Sequence, residues 1–309
     1  MRRWALGGLV AAAVAIGIYW WHSQPEQVIE GPRRGDVKVA DEPVKIFKGK
    51  ELARQQLLGS LALGSGQGFP ASLPWAPLHH IGTSGLYPLE GLLHHQPVLF
   101  LEWCQAKYTN EVSGYTCTFC KQERVQGKLL PAEKIEVHFR EEPFSVHMHF
   151  LQGGSATKVI YPDGVKQDYL AARPNFPNFI LVSRAIKGAE AMQNSRFPIS
   201  QFGIAKGAQS TLASMHRAQA RGALHIRYDG VYKVPQLGDR TCFKLVRTPY
   251  TPHEDDDLNE LTVYIDTETW LQVGSVLKNG RDELIAEYWF RDVELNPEFD
   301  EDQFTRKAL

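Results

Sequence analysis

Hydrophobic and polar residues alternate along most of the chain from residue 115 onwards. The alternation is clear in residues 115–120, 135–139 and 144–150. Because successive side chains of a strand point to opposite faces of a sheet, this period of two predicts β-strands with one apolar face each. Further strands are predicted at residues 158–161, 168–171, 180–183, 225–234, 241–248, 260–266, 271–278 and 281–295.

Turn signals predict how some of these strands pair. The second and third strands form a predicted hairpin in which Phe139 faces Phe144 and Val137 faces Val146, so that the apolar residues share one face. Asn279-Gly280 is typical of a two-residue type I′ hairpin turn. The sequence therefore predicts an antiparallel sheet built from hairpins.

Two helices accompany the predicted strands. Pro97 suits the first turn of a helix, and a helical stripe of apolar residues follows it, which predicts a helix over residues 97–110. Apolar residues recur at helical spacing between Ile204 and Met215, after Ser200 as a plausible N-cap. An apolar sheet face must be covered, and helices are the available cover. The predicted fold class is α+β: a large curved antiparallel sheet, an open half-barrel, lidded by two main helices.

The N-terminal 22 residues predict a transmembrane signal anchor. Trp4–Trp21 is an uncharged run of 18 residues, which is about 27 Å of helix and close to the thickness of a bilayer core. Arg2 and Arg3 favour a cytoplasmic N-terminus. We therefore expect a single-pass inner-membrane protein whose folded part lies in the periplasm.

A cleaved signal peptide is the alternative interpretation of the same segment. The small residues Ala15 and Gly17 could form its cleavage site. In either case residues 23–95 are rich in Gly, Pro and Ser and predict a flexible linker. The folded domain is then predicted over residues 96–309.

Composition narrows the possible partners of the protein. The 309 residues include 34 Lys and Arg against 35 Asp and Glu, and 43% of them are hydrophobic. These values are those of a folded protein. The formal net charge of −1 provides no general attraction to nucleic acid, so no nucleic-acid partner is expected.

Four cysteines follow the predicted anchor: Cys104, Cys117, Cys120 and Cys242. An exported location is oxidising, and four cysteines allow three pairings into two disulfides. Cys117 and Cys120 have the spacing of a redox motif, but they lie in a predicted strand rather than at a helix N-terminus. We predict a structural disulfide between Cys117 and Cys242, each of which lies in a predicted strand.

No sequence feature predicts an enzyme. The sequence lacks a nucleophile elbow and a glycine-rich phosphate loop. Glu136, His138, His147 and His149 could approach one another on the polar face of the predicted hairpin, but Lys134 would bring a repelling charge into any zinc site. A solvated outer face is the favoured interpretation. No catalytic residue, metal site or cofactor is therefore predicted.

Several segments resemble the periplasmic lipoprotein carrier superfamily, the LolA/LolB-like proteins. The segments that carry this resemblance are residues 115–125, Phe139-Arg-Glu-Glu-Pro-Phe-Ser145, Tyr264-Ile-Asp-Thr-Glu268 and residues 288–304. Within this superfamily the chain looks most like a bacterial envelope domain family of unknown function. That family shares the Gln122-Glu-Arg124 strand and the Arg196-Phe-Pro-Ile199 helix entry.

The resemblance implies a half-barrel around an apolar groove and a non-enzymatic, membrane-tethered binder of lipid or lipoprotein acyl chains. Arg140 is the position that matches the arginine by which carriers hold their lid closed, although Glu141 and Glu142 intervene before the proline. The alternative function is a regulatory or structural envelope module that binds a protein partner. The residues predicted to line the groove are Phe119, Ile135, Val137, Phe139, Phe144, Val146, Met148, Phe150, Val263, Ile265, Val273, Tyr288 and Phe290.

Overall fold

The computed structural model describes residues 86–250 and 257–309. The helices are α1 (Leu86–His95), α2 (Pro97–Glu111), α3 (Ala189–Met192) and α4 (Ile204–Ala220). The strands are β1 (Gly114–Val125), β2 (Lys128–Leu129), β3 (Glu133–Arg140), β4 (Ser145–Gln152), β5 (Ala156–Tyr161), β6 (Tyr169–Pro174), β7 (Val182–Ala185), β8 (Ile226–Val234), β9 (Arg240–Arg247), β10 (Leu258–Asp266), β11 (Gln272–Asn279) and β12 (Leu284–Leu295). Short 3₁₀ helices span Ile199–Gln201, Pro235–Leu237 and Arg306–Ala308.

All twelve strands belong to one antiparallel sheet. The order across it is β7-β6-β5-β4-β3-β1-β12-β11-β10-β9-β8, and β2 pairs with β1 beside this path. Because β7 and β8 do not pair with each other, the sheet is open. The predicted α+β class, with a half-barrel sheet covered by helices, is confirmed.

Alternation along β3 shows how the sequence determines the two faces of the sheet. Ile135, Val137 and Phe139 are buried, whereas Glu136 is exposed. We call the face that contains these buried residues the inner face. The predicted pairing of β3 with β4 was wrong by two residues, because Phe139 pairs with Val146. A shift of two residues preserves the period of the strand, so the same apolar side chains still share one face.

Helix α4 begins three residues later than predicted. Ser200 does not cap it, since residues 199–201 form a separate 3₁₀ turn and the N-cap is Gly203. The backbone amide of Ile204 donates instead to the Tyr115 hydroxyl, 3.1 Å away. Gly203 has φ of +125° and lies so close to the Phe139 ring that an added Cβ would come within 3.2 Å of it. A residue with a side chain would therefore be strained at this position.

The turn between β11 and β12 is longer than the predicted two-residue turn. Four residues separate Asn279 from Leu284. The Asn279 side-chain oxygen accepts hydrogen bonds from the backbone amides of Arg281 and Glu283, at 2.9 and 3.0 Å. The asparagine thus stabilises the turn through its side chain rather than by adopting a left-handed backbone.

Helix α1 lies in the segment predicted as a linker. Leu93 is fully buried and joins a cluster with Phe100 and Leu245. The folded part of the chain therefore begins before residue 96. The predicted anchor at residues 1–22 lies outside the described residues. Within residues 86–250 and 257–309, no helix has the length and apolarity needed to cross a membrane.

Candidate functional site

The residues predicted to line a groove lie in the interior of the structure. Nine of them are less than a tenth exposed and four are half-buried. Eleven belong to or pack against the largest core cluster of the described residues, and Val263 and Ile265 belong to the second largest. Tyr288 packs against both clusters. The inner face on which the groove was predicted is thus a buried, apolar surface.

Aromatic side chains fill much of the space over this inner face. Phe139 stacks on Tyr115 with ring centroids 4.7 Å apart and meets Phe144 edge-on at 5.4 Å. Phe119 contacts Phe202 at 5.2 Å and Phe290 at 4.8 Å. These distances are those of well-packed aromatic pairs. The inner face is consequently in contact with side chains, including Phe202 from the segment that leads into α4.

We use the term helical cover for three elements together: α2, α4 and residues 199–203, the segment that leads directly into α4. Tyr108 of α2 and Ile204 of α4 are buried in the larger core cluster. Tyr115 fixes the start of α4 through its hydroxyl, and burial is the main reason that the pKa of this phenol is raised well above its ordinary value. Tyr115 therefore stays neutral and available as a hydrogen-bonding partner at all physiological pH values.

A small cleft lies between the helical cover and the β10–β11 turn. Its volume is about 10 Å³, enough for about one water molecule. Two buried polar atoms of its lining, Gln105 Oε1 and Trp270 Nε1, have no hydrogen-bond partner among the described residues. The cleft is lined by Leu101, Cys104, Gln105, Tyr108, Ile204, Ala205, Ala208, Leu212, Ile265, Trp270, Leu271 and Gln272.

A polar cluster around Glu123 interrupts the apolar inner face near the end of β1. Glu123 is 3% exposed, accepts a hydrogen bond from the Tyr288 hydroxyl at 2.6 Å and pairs with Lys121 at 2.7 Å. The Arg196 amide donates to the same carboxylate at 3.4 Å, and its guanidinium donates to the Arg124 carbonyl at 3.1 Å. The two motifs around Glu123 and Arg196 therefore meet in the structure and fix the segment that leads into the helical cover.

Arg140 does not lie beside the helical cover. It alternates with the buried residues of β3 and so projects from the outer face. Its guanidinium donates to the Pro143 carbonyl at 3.3 Å and to the Ser145 hydroxyl at 3.1 Å, and it lies 4.6 Å above the Phe304 ring. Arg140 thus orders the β3–β4 turn and the C-terminal segment. This position disagrees with the predicted lid-closing role.

The predicted disulfide is wrong, because all four cysteines are free. Cys117 lies on β1 and Cys242 on β9, with β12, β11 and β10 between them. At about 4.8 Å per strand they are roughly 19 Å apart along the sheet, whereas bridged cysteines have Cα atoms about 4.4–6.8 Å apart. Burial raises the pKa of the Cys242 thiol to about 12, so this thiol is a poor nucleophile.

Histidines on the outer face of β3 and β4 occupy a different register from the one predicted. His138 pairs with His147 across the strands, and Glu136 pairs with His149. His147 is 6% exposed, lies under the C-terminal segment and contacts the Gln303 amide at 2.5 Å. Burial is the main cause that lowers the pKa of His147 to about 4. Among residues 86–250 and 257–309, no group of three or more His, Cys, Asp or Glu side chains is placed to hold a metal ion.

The architecture defines the structural class: one open antiparallel half-barrel sheet with a helical cover. The sequence model of the family described as "Protein of unknown function (DUF1571)" matches residues 112–308. The chain belongs to this family. The earlier resemblance to an envelope domain family of unknown function agrees with this finding. A search of curated proteins finds no match.

Comparison with solved structures finds proteins of low sequence identity that align with about two thirds of this chain. The lipoprotein LppX of Mycobacterium tuberculosis has 10% identity and a TM-score of 0.40, with 67% of this chain and 100% of that chain covered. MucB in the MucA/MucB complex of Pseudomonas aeruginosa has 18% identity and a TM-score of 0.39, with 68% and 61% covered. A LolA superfamily protein of Nitrosomonas europaea has 8% identity and a TM-score of 0.28, with 68% and 98% covered. The chain thus spans about three fifths of the MucB chain.

Proposed function

We propose that the protein is a membrane-tethered, non-enzymatic binder of lipid or lipoprotein acyl chains in the bacterial cell envelope. The observation that carries this proposal is the cleft between the helical cover and the sheet. Apolar side chains from both sides line it, and Ile265 belongs both to this lining and to the groove predicted from the sequence. An acyl chain that entered there would pass onto the inner face.

Binding requires the helical cover to move. Ligand pockets have volumes of roughly 300–1,000 Å³, whereas the cleft holds about 10 Å³. Each methylene group transferred from water to the apolar face would contribute roughly 0.8 kcal/mol. An acyl chain would therefore replace the contacts of Phe202 and Ile204 with the inner face by contacts of its own. In this open form the thirteen predicted groove residues would line the ligand.

The cleft also contains the polar groups that an acyl ligand's head could use. Gln105 Oε1 can accept a hydrogen bond and Trp270 Nε1 can donate one, and both are buried without a partner among the described residues. A buried polar atom without a partner costs about 1–3 kcal/mol. A ligand with an amide group near its apolar chain would donate to Gln105 Oε1 and accept from Trp270 Nε1, whereas an ester or a carboxylate would satisfy only the Trp270 donor.

The proposed location is the inner membrane, with the folded domain in the periplasm. The support is the apolar run Trp4–Trp21 after two arginines. A tether of this kind would keep an acyl-binding domain near a source of lipid. Sequencing the N-terminus of the membrane-isolated protein tests the tether, and an N-terminus at Ile18 or beyond would contradict it.

Photo-crosslinking with a diazirine-bearing fatty acid tests the function. The full chain is illuminated with this probe, and the labelled peptides are identified by mass spectrometry. We expect labels in α2, α4 or the β10–β11 turn, and competition by unlabelled fatty acid. Ala208→Trp places a large side chain in the cleft and should remove the labelling. Ala213→Trp lies on the exposed side of the same helix and is the matched control.

The alternative function is a regulatory or structural module that binds a protein partner. The packing of the inner face favours it, because Phe139 and Val146 are already buried at 1% and 0% exposure. The same experiment separates the two functions. Labelling that is absent from the cleft, or that Ala208→Trp leaves unchanged, would contradict acyl binding and leave the protein-partner function as the better explanation.

A further inference from the structure

The β6–β7 loop, residues 175–181, exposes an unusual amount of apolar surface. Its sequence is Asn-Phe-Pro-Asn-Phe-Ile-Leu. Phe176 is 89% exposed and Phe179 is 81% exposed, and Ile180 and Leu181 are exposed by 37% and 40%. Single exposed apolar residues are ordinary, but four within six positions form a patch. The loop therefore presents two phenylalanines and two aliphatic side chains to the surroundings.

Hydrogen bonds hold residues 175 and 178, in the first part of this loop, in place. The Asn175 side chain donates to the Gly154 carbonyl at 3.0 Å, and its backbone amide donates to Ser155 at 3.2 Å. Arg173 donates to the Asn178 carbonyl at 2.5 Å. Leu151, which is 50% exposed, lies on β4 just before the adjoining β4–β5 turn. Phe176 thus projects from backbone that hydrogen bonds hold on both sides, and Phe179 directly follows this backbone.

The charge around the loop favours an anionic surface. Residues 172–182, which comprise the loop and the strand ends on either side of it, contain Arg173 but no aspartate or glutamate. Lys134, at the same end of the neighbouring strands, is exposed. Cations close to a membrane surface are attracted by anionic lipid headgroups. An apolar loop flanked by cations therefore matches the interface of an anionic bilayer, where aromatic side chains also partition.

The size of the patch argues for a bilayer rather than a protein. A buried phenylalanine covers about 150–250 Å², so Phe176 and Phe179 together offer roughly 300–500 Å². A specific protein interface buries about 800 Å² on each partner. Insertion into a bilayer interface has no such area requirement, since the lipid rearranges around each side chain.

We propose that the β6–β7 loop is a membrane-docking element that inserts Phe176 and Phe179 into the interface of an anionic phospholipid bilayer. This contact does not depend on acyl binding in the cleft. It would fix the orientation of the folded domain on the membrane, which a tether alone does not do.

Depth-dependent fluorescence quenching tests the proposal. The full chain carrying Phe179→Cys, labelled with an environment-sensitive fluorophore, is bound to or reconstituted into vesicles that contain phosphatidylglycerol with brominated acyl chains. Val165→Cys is the matched control, because Val165 is 73% exposed in the β5–β6 turn at the other end of β6. The wild-type chain, treated in the same way, gives the background from Cys120, the half-buried native thiol. Phe176→Cys provides a second position in the loop.

We expect brominated lipid to reduce the emission of labels at 176 and 179 but not at 165. The loss should be smaller in phosphatidylcholine vesicles and at high salt, since salt screens the attraction. Equal quenching at 165 and 179, or quenching independent of lipid charge and salt, would overturn the proposal. Shielding of the 179 label by an added protein fraction without quenching by lipid would overturn it too, and would assign the loop to a protein partner. None of these outcomes depends on photo-crosslinking in the cleft.

Discussion

Replacing Val146 with tryptophan tests how tightly the inner face is packed. Val146 is 0% exposed and lies on β4 between Phe139 of β3 and Tyr161 of β5. The Phe139 ring is itself in contact with Tyr115, Phe144 and Phe202 at centroid distances of 4.7, 5.4 and 6.0 Å. An indole at this position has to displace these rings or the strands beside them.

The expected cost follows from this packing. Forcing a larger side chain into a filled core costs typically about 1–3 kcal/mol, and occasionally more. For a domain of this size, 1 kcal/mol lowers the melting temperature by about 2–4 °C, so the expected decrease is roughly 2–12 °C. Leu151→Trp on the same strand is the control, because Leu151 is 50% exposed. That surface change should alter the free energy of unfolding by less than about 0.5 kcal/mol.

The assay is thermal unfolding of the ligand-free full chain, followed by circular dichroism. A melting temperature of Val146→Trp equal to that of Leu151→Trp and of the wild type would refute the reasoning. It would mean that Val146 faces space that an indole can fill. A decrease within the expected range indicates that an acyl chain reaches Val146 only after the helical cover has moved.

Three further changes test individual contacts by urea unfolding. The first is at Asp163, which is 1% exposed. Burial alone would raise the pKa of this carboxyl group. Hydrogen bonds outweigh the effect of burial and lower the pKa to about 2; their donors are the Lys166 amide, the Ser183 hydroxyl, the Val165 amide and Arg306. Because the folded-state pKa is depressed, the stability that ionised Asp163 contributes is present above about pH 4 and is lost as the pH falls towards 2. Asp163→Asn should lower the free energy of unfolding by about 1–2 kcal/mol at pH 7 and should reduce the loss of stability in acid. An unchanged dependence of stability on pH in this variant would contradict the assignment. The pKa of His147 is lowered to about 4 chiefly by burial, so wild-type stability should fall as the pH drops from about 6.5 to 4 by about 2–3 kcal/mol. His147→Gln should reduce this slope, and a slope equal to that of the wild type would refute the assignment. Tyr115→Phe leaves the buried Ile204 amide without its acceptor and should lower the free energy of unfolding by about 1–3 kcal/mol. If the variant is as stable as the wild type, another group accepts this hydrogen bond at the start of α4.

Much of the sheet could be predicted from the sequence because burial on one face imposes a period of two. That period is local, so β3 and β4 are found within one or two residues of their predicted bounds. Their pairing is not local: the turn between Arg140 and Ser145 decides it, and the prediction shifted the register by two residues. Helix α1 was missed because residues 86–95 combine leucines with Gly and Pro. Its burial is a tertiary effect, since Leu93 packs on residues far away in the chain.

The sequence predicts less about the candidate site than about the sheet. Alternating apolar residues are needed equally by a packed core and by a ligand groove, so the sequence identifies the inner face but not whether side chains or a ligand cover it. The motifs around Glu123 and Arg196 were visible 73 residues apart, and the structure shows why they occur together: one carboxylate accepts hydrogen bonds from the Tyr288 hydroxyl and the Arg196 amide. Opening the helical cover from this end would leave the carboxylate of Glu123, 3% exposed in the closed form, with fewer partners. Because an unsatisfied buried charge is costly, acyl-chain entry is favoured at the other side of the cover, where the cleft already separates α2 and α4 from the β10–β11 turn.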